Sequence, residues 1–589
     1  MAVEKWNEEG RIWEADHGLL NEEQIAQCAR ADEAETFRSP VPTQMVSNGE
    51  YMPVPQTKKQ KQMEERIKEL AGSASKKLGI SRRRFLAGSG GMAASFLAMN
   101  EVFGRFFNVD PIEMFEPEAY AQSGTPRDLF IFDDQLHLVR GTMDGPVGLR
   151  GLAQGPTSGG TSNEYNPKGL PDEHGKVWAP WNPALVGLPN TRTNYQIVQF
   201  IKDVYLDSQI NIGLLSNVTG SVLNVLGGSE PVPTNVRDAR RGEMLTADQT
   251  VAARNFINEI SGSTRMLAHG LLYVGKGNLD YIQEQTQRNL PDSWKGYNIS
   301  ESAKLVDNNP NSPLRQWRHD DENVAYPTFE LIQKYYAKLK DKKPGFNNIC
   351  VHKGLVPPEP ADPEHGHPAD LPKAAKDWPN LNFITYHACI RPLVFLYDSW
   401  QEVKSGKLRQ GVPDISWTTE YAILVAPYKN TYAEIGTTWA SSIVTFPTVA
   451  AHIMGQLMKF MGPDRIVFGS DSVWYGSPQW QIDAFWRFQI PEDLRKKYGY
   501  PELTVDAKRK ILGLNSARLY GIKGVESGNL QQRFKPVPKD YEKRMTRELK
   551  TLMELPGFRA DNLSRIKDKY AELGVEASHT RHGWIRVNA

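Results

Sequence analysis

Residues 465–478 read RIVFGSDSVWYGSP, and the reading of this stretch decides the fold. Ile466-Val467-Phe468 is a short apolar run suited to a buried strand. Gly469 and Ser470 carry it into a carboxylate, Asp471, and a loop holding Ser472, Trp474, Tyr475, Gly476 and Pro478 follows. A buried parallel strand that delivers an acid at its C-terminal end is how a β/α barrel presents a reactive group. A turn carboxylate that bonds nearby backbone groups has the same local pattern, so the rest of the chain must choose between them.

Working outward, short apolar runs alternate with helical patterns, which argues for parallel strands joined by helices. The strand candidates are Leu129–Leu138, Gln209–Leu215, Arg265–Val274, Ser293–Ile299, Asn347–His352, Asn382–His387, Thr431–Gly436 and Arg465–Gly469. Helical patterns lie between them at Gln196–Leu206, Ala247–Ser261, Leu279–Asn289, Thr328–Leu339, Leu371–Asp377 and Pro447–Met461, and Thr504–Leu519 follows the last strand. Eight strands with interleaved helices predict an α/β protein, a (β/α)8 TIM-like barrel with loop insertions and a helical C-terminal extension. No Gly-rich phosphate turn follows the first strand, which argues against a doubly wound sheet. The insertions Gly141–Asn190 and Lys353–Ala369 directly follow strands one and five, so they are expected over the functional face.

The totals exclude some functions. There are 70 basic and 69 acidic residues, a formal net charge of +1, so nothing global points to nucleic acid or an anionic membrane. The three cysteines, Cys28, Cys350 and Cys389, form no disulfide framework and no CxxC metal pattern. Cys350 and Cys389 sit in apolar runs and read as buried thiols.

The first 80 residues are polar and charged, and they are read as a leader without a packed core, with at most a short exposed helix at residues 57–70. From Ser81 to Met99 the chain reads SRRRFLAGSGGMAASFLAM. Ser81, Arg82, Arg83, Phe85 and Leu86 resemble the twin-arginine export pattern Ser/Thr-Arg-Arg-x-Phe-Leu. The apolar run behind them is too short and Gly-rich for a comfortable membrane span. Ala119-Tyr120-Ala121 offers small residues at the positions a signal peptidase reads, so cleavage is expected after Ala121. The resemblance implies the export machinery as a partner and a periplasmic location, with membrane association if the segment is retained. The expected division is 1–80 leader, 81–121 signal-like segment, 122–525 barrel and 526–589 helical appendage.

Ligand-type residues fall at strand ends. In LFIFDDQLHL, period-2 alternation puts Asp133, Gln135 and His137 on one face. NICVH ends on His352, LNFITYH on His387 and RIVFGSD on Asp471. Imidazoles and a carboxylate converging from strands one, five, six and eight are what a zinc or similar divalent site requires. His365 and His367, in PEHGHP, have the spacing of a metal pair but lie in a Pro-rich loop, and they are read as outside the site.

This ordered set resembles the amidohydrolase superfamily, and within it the amidohydrolase-related branch that also holds metal-dependent non-oxidative decarboxylases. WPNLNFITYHA, MGPDRIVFGSDS and NSARLYGI carry the likeness, which spans roughly residues 127–525. It implies one divalent metal ion, zinc first and manganese as the alternative, held by His137, His352, Asp471 and Gln135. Gln135 departs from the family's His-x-His, and an amide oxygen is a poorer ligand than imidazole or carboxylate. Lys295 stands where many superfamily members carry a bridging carbamylated lysine; here a structural role is expected.

The implied activity is hydrolysis of an amide, ester or lactone of a small molecule by a metal-activated water. Two alternatives stand beside it: decarboxylation of an aromatic or unsaturated acid, and a non-catalytic periplasmic barrel whose metal site has decayed. Asp471 and His387 are the expected catalytic residues. Arg391, Glu434, Trp474 and Tyr475 are candidate substrate contacts, with a surface ion pair the other reading of Arg391. A homo-oligomer is compatible with the appendage.

Overall fold

Eight short apolar runs, each too brief to shield itself, pair edge to edge into one parallel sheet in the computed structural model of the chain. The structure describes residues 39–43, 57–140, 195–219, 243–298, 316–355, 363–391, 396–526, 529–554, 575–577 and 585–587. The strands are β1 (Phe132–Leu136), β2 (Ile212–Leu215), β3 (Met266–Leu271), β4 (Ser293–Tyr297), β5 (Asn348–His352), β6 (Asn382–Tyr386), β7 (Thr431–Glu434) and β8 (Ile466–Val467). They stand side by side in sequence order, and every neighbouring pair is parallel.

The first and last strands meet. Asp134 N donates to Phe468 O at 2.9 Å, Asp471 N to Gln135 O at 2.9 Å and Val473 N to His137 O at 3.3 Å. A parallel bridge between Leu136 and Ser472 completes the seam. The sheet is therefore a nearly closed barrel, a (β/α)8 fold as expected.

The helices follow from local signals. Thr246 caps Ala247–Ser261 in a reciprocal box with Gln249, and Gly262 ends that helix with a left-handed φ of 62°. The run Val505–Leu519 is helical throughout, with a π-turn at Lys510–Leu514. Gly513 in that turn lies so close to β1 that an added Cβ would stand 2.4 Å from Phe130 O, so only glycine allows the approach.

Alternate strand residues, among them Phe132, Ile212, Leu214, Leu267, Cys350, Ile384, Tyr386, Tyr432 and Val467, gather into one apolar cluster that Tyr520, Leu530 and Phe534 complete. This inner packing fills the barrel. A larger cluster joins the outer strand faces to the helices.

Flanking segments pack on this frame. Residues 58–78, expected in a leader without a core, form helix α1 (Lys58–Leu78), and its Met63, Ile67, Ala71 and Ala74 are buried. The spacing of those four side chains makes one apolar stripe along an otherwise charged helix. Three helices follow: α2 (Arg82–Leu86), α3 (Ser89–Phe103) and α4 (Pro117–Ser123). Among the described residues no helix is long and apolar enough to cross a membrane. Beyond the barrel, Tyr541 Oη donates to Val198 O at 2.8 Å and Gln249 Nε2 to Leu552 O at 2.7 Å, so residues up to 554 lie against it. The insertion 141–190 and residues 555–574 of the appendage lie outside the described residues.

Candidate active site

The C-terminal ends of β1, β5, β6, β7 and β8 deliver the candidate residues, all of them buried: Gln135, His137, His352, His387, Glu434 and Asp471. Adjacent strands pair their side chains first. Across the seam, His137 Nε2 lies 3.1 Å from Asp471 Oδ1, and Gln135 Nε2 lies 3.4 Å from His137 Nε2. From β5 and β6, His387 Nε2 lies 3.1 Å from His352 Nδ1.

The β1 end departs from strict alternation. The pairing with β2 shifts between Asp133 and Leu136, an irregularity of the kind that re-aims side chains. The Asp133 carboxylate accepts from Ser470 N at 2.9 Å and Gln135 N at 3.1 Å. Burial pushes this carboxyl up to about 7, against the pull of its bonds to Ser470 and Gln135.

Backbone strain collects at the same level. His387, Ala388 and Cys389 have φ of 62°, 50° and 54°, and Asp471 has 57°. For side chains with a Cβ such values cost of order 1–3 kcal/mol each and persist only where the surroundings enforce them. Glu434 is one enforcer. Its buried carboxyl accepts from His387 N at 3.1 Å and from Gly436 N at 2.5 Å. Glu434 thus fixes the turn that aims His387, besides lining the site.

Asp471 is held from the helix that follows β7: Thr437 Oγ1 donates to its Oδ2 and stands 2.8 Å from Tyr475 Oη. Trp474 stacks on His137 with ring centroids 5.4 Å apart, and Tyr195 lies 5.5 Å from Trp474 on its other flank. Both loop aromatics therefore reach the site. Arg391 does not: it is exposed and lies 5.8 Å over the Trp417 ring. His365 and His367 also stand apart, with His367 Nε2 3.3 Å from Glu420 and His365 O accepting from Lys353 Nζ at 3.0 Å.

Two residues assume more than their sequence suggested. Lys295 Nζ sits 3.5 Å over the centroid of Tyr386 and 4.9 Å from that of Tyr297, inside the barrel. His269, on β3, bonds Tyr386 Oη at 3.0 Å and Ser293 Oγ at 2.8 Å. His269 sits mid-strand in MLAHGL, where period-2 alternation would have found it. Burial lowers His137, His352 and His387, and repulsion from Lys295 adds to this in all three; Asp471 offsets part of it at His137. Burial also holds the Glu434 carboxyl well above the usual range, with Asp471 adding to it.

Two observations bear on a metal. His137 Nδ1, His352 Nε2, His387 Nδ1 and Gln135 Oε1 are buried without a hydrogen-bond partner, an arrangement of neutral nitrogen and oxygen donors that fits a divalent ion. Among the described residues, however, no three His, Cys, Asp or Glu side chains form one metal-holding group. The expected ligands stand as two pairs, His137–Asp471 and His352–His387, because each pair comes from neighbouring strands.

Comparison with known proteins adds to this geometry. An amidohydrolase family model matches residues 304–522, the part of the barrel that carries His352, His387, Glu434 and Asp471. No curated protein sequence matches the chain. Among solved structures, the chain is similar to an uncharacterised TIM-barrel protein of Bordetella bronchiseptica, at 14% identity over 67% of this chain and 99% of that one, TM-score 0.36. It is similar to a protein of Lactobacillus casei assigned as a metal-dependent hydrolase, at 14% identity over 68% and 97%, TM-score 0.37. A third is a dihydroxybenzoic acid decarboxylase of Polaromonas with bound manganese and 2-nitroresorcinol, at 11% identity over 56% and 89%, TM-score 0.30. Likeness this distant carries no reaction across; the fold rests on the strand pairing.

Proposed function

We propose that this chain is a metal-dependent hydrolase of the amidohydrolase kind, acting on an amide, ester or lactone of a small molecule. One observation carries the reading: at four strand ends, buried imidazoles and a carboxylate stand as two pairs, His137–Asp471 and His352–His387, with His137 Nδ1, His352 Nε2 and His387 Nδ1 lacking a hydrogen-bond partner, and the matched family region holds three of these four residues. His137, Asp471, His352 and Gln135 would hold the ion. When bound, a divalent ion supplies a Lewis acid that polarises a carbonyl and makes water a stronger acid.

The chain's own groups do the rest. Asp471, aligned by Thr437, takes the proton of the attacking water on its carboxylate and returns it to the leaving group. His387, held neutral by burial and by its charged neighbours, faces the substrate carbonyl. Trp474 and Tyr195 close one side and exclude bulk water. Burial, with repulsion from Lys295 added, disfavours protonation of the imidazoles, so their lone pairs stay available. The exposed arginines of Ser81–Leu86 support a periplasmic place of work, reached by twin-arginine export.

The test is protein purified without chelator, measured for metal content and assayed in parallel for ester, lactone and amide hydrolysis and for CO₂ release from aromatic acids. About one equivalent of metal with hydrolysis supports the proposal. CO₂ release without hydrolysis makes the chain a decarboxylase, and absence of metal sinks both.

A further inference from the structure

We propose that residues 57–125 are a lasting helical cap on the barrel, kept in the working protein rather than cut away at Ala121. Just after the site loop comes the helix Gln479–Arg487. Its last residue, Arg487, is buried and points into the N-terminal segment. Arg487 Nη2 lies 2.7 Å from Glu113 Oε2, with the two side chains 1% and 3% exposed. Arg487 Nη1 donates to Asn108 O at 2.9 Å, and the guanidinium lies 4.4 Å over the Tyr120 ring.

The backbone joins the same two parts. Asn108 N donates to Arg487 O at 2.9 Å and Gln489 N to Phe106 O at 2.8 Å, with an antiparallel bridge from Phe107 to Phe488. Thr125 Oγ1 donates to Asp483 Oδ1 at 2.7 Å. Apolar packing closes the join. Phe96 stacks on Phe107 at 4.8 Å, Phe107 meets Phe488 at 6.3 Å, and Met63, Ile67, Phe85 and Leu86 belong to the same buried cluster as Phe485 and Phe488.

A cut after Ala121 would fall inside α4, one residue from Tyr120. It would release Glu113, Asn108, Phe107 and Tyr120 together. Arg487 would then be left without its carboxylate, its carbonyl or its aromatic cover, and a charge buried without a partner is strongly unfavourable. Phe488 would lose its lid. A processing signal gains nothing from a buried ion pair with the enzyme it leaves; a structural element does. The arrangement also sorts the export-like motif, since Arg82, Arg83 and Arg84 are exposed while Phe85 and Leu86 are buried.

The experiment produces the full chain in a bacterium with working twin-arginine export and determines intact mass and N-terminal sequence in periplasmic and cytosolic fractions. A folded protein whose N-terminus lies upstream of Thr57 in every fraction is the expected result. A stable, folded species that begins at Gln122 overturns the proposal. Glu113→Ala in the full chain supplies the second readout, with the exposed Glu118→Ala as control. Glu113→Ala is expected to lower Tm by several degrees while the control stays at the wild-type value. An unchanged Tm for Glu113→Ala would show that the segment is not seated on the barrel, and would overturn the proposal as well.

Discussion

The residue that most repays attention is Asp471. Its φ of 57° is forced on a side chain that disfavours it, its carboxylate touches His137, and Thr437 fixes its second oxygen. Asp471→Asn keeps the shape and removes the charge and the proton acceptor, so kcat/KM is expected to fall by at least about 100-fold, the scale of a lost general base, with Tm nearly unchanged. Thr437→Val removes one hydrogen bond to a charged group, worth about 1.5–3 kcal/mol, so a loss of about 10- to 100-fold is expected. Full activity in Asp471→Asn would remove this residue from the chemistry.

At the scale of elements, the helical run before β2 carries a titratable group that the site does not use. Asp203, in the π-turn Lys202–Leu206, is pushed up to about 7 by burial, and its bond from Gln199 at 2.7 Å only partly opposes this. A carboxyl whose folded value exceeds its unfolded one stabilises the fold at low pH, and that contribution is lost as pH rises through about 7. That loss begins above the unfolded value of 3.8 and is complete above about 7, so Asp203→Asn should raise Tm most above pH 7 and least below about pH 4. A Tm gain of equal size at both pH values would assign the effect to packing instead.

Elements also show what could be read beforehand. The eight strands were legible because each is an apolar run bounded by turn residues, and His137, His352, His387 and Asp471 were legible because each ends such a run. The register shift in β1, and the use of the Asp133 carboxylate on the backbone of Gln135 and Ser470, were not, since strict alternation has no term for an irregular register. The left-handed turn His387–Cys389 depends on Glu434 reaching its backbone, a contact 47 positions away in sequence. The burial of helix α1 was missed because its four buried apolar side chains, Met63, Ile67, Ala71 and Ala74, are outvoted by charge in any compositional measure. Lys295 showed its residue type but not the Tyr386 ring it rests on.

For the molecule as a whole, barrel closure and site assembly are one event. The contacts that join β1 to β8 are made by the residues that carry Gln135, His137 and Asp471. In urea, activity and the near-UV signal of the tertiary fold are expected to vanish at the same midpoint, as in a cooperative transition. Activity lost well before the tertiary signal would show that the site opens on its own.

The seam between the two ends of the sheet joins Asp133 to Ser470, 337 positions apart. The His137–Asp471 pair is thus absent from any fragment that lacks either end of the sheet. A ribosome must finish nearly the whole barrel before either partner meets the other. The joint makes the pair a property of the assembled barrel, one that neither end of the chain holds alone.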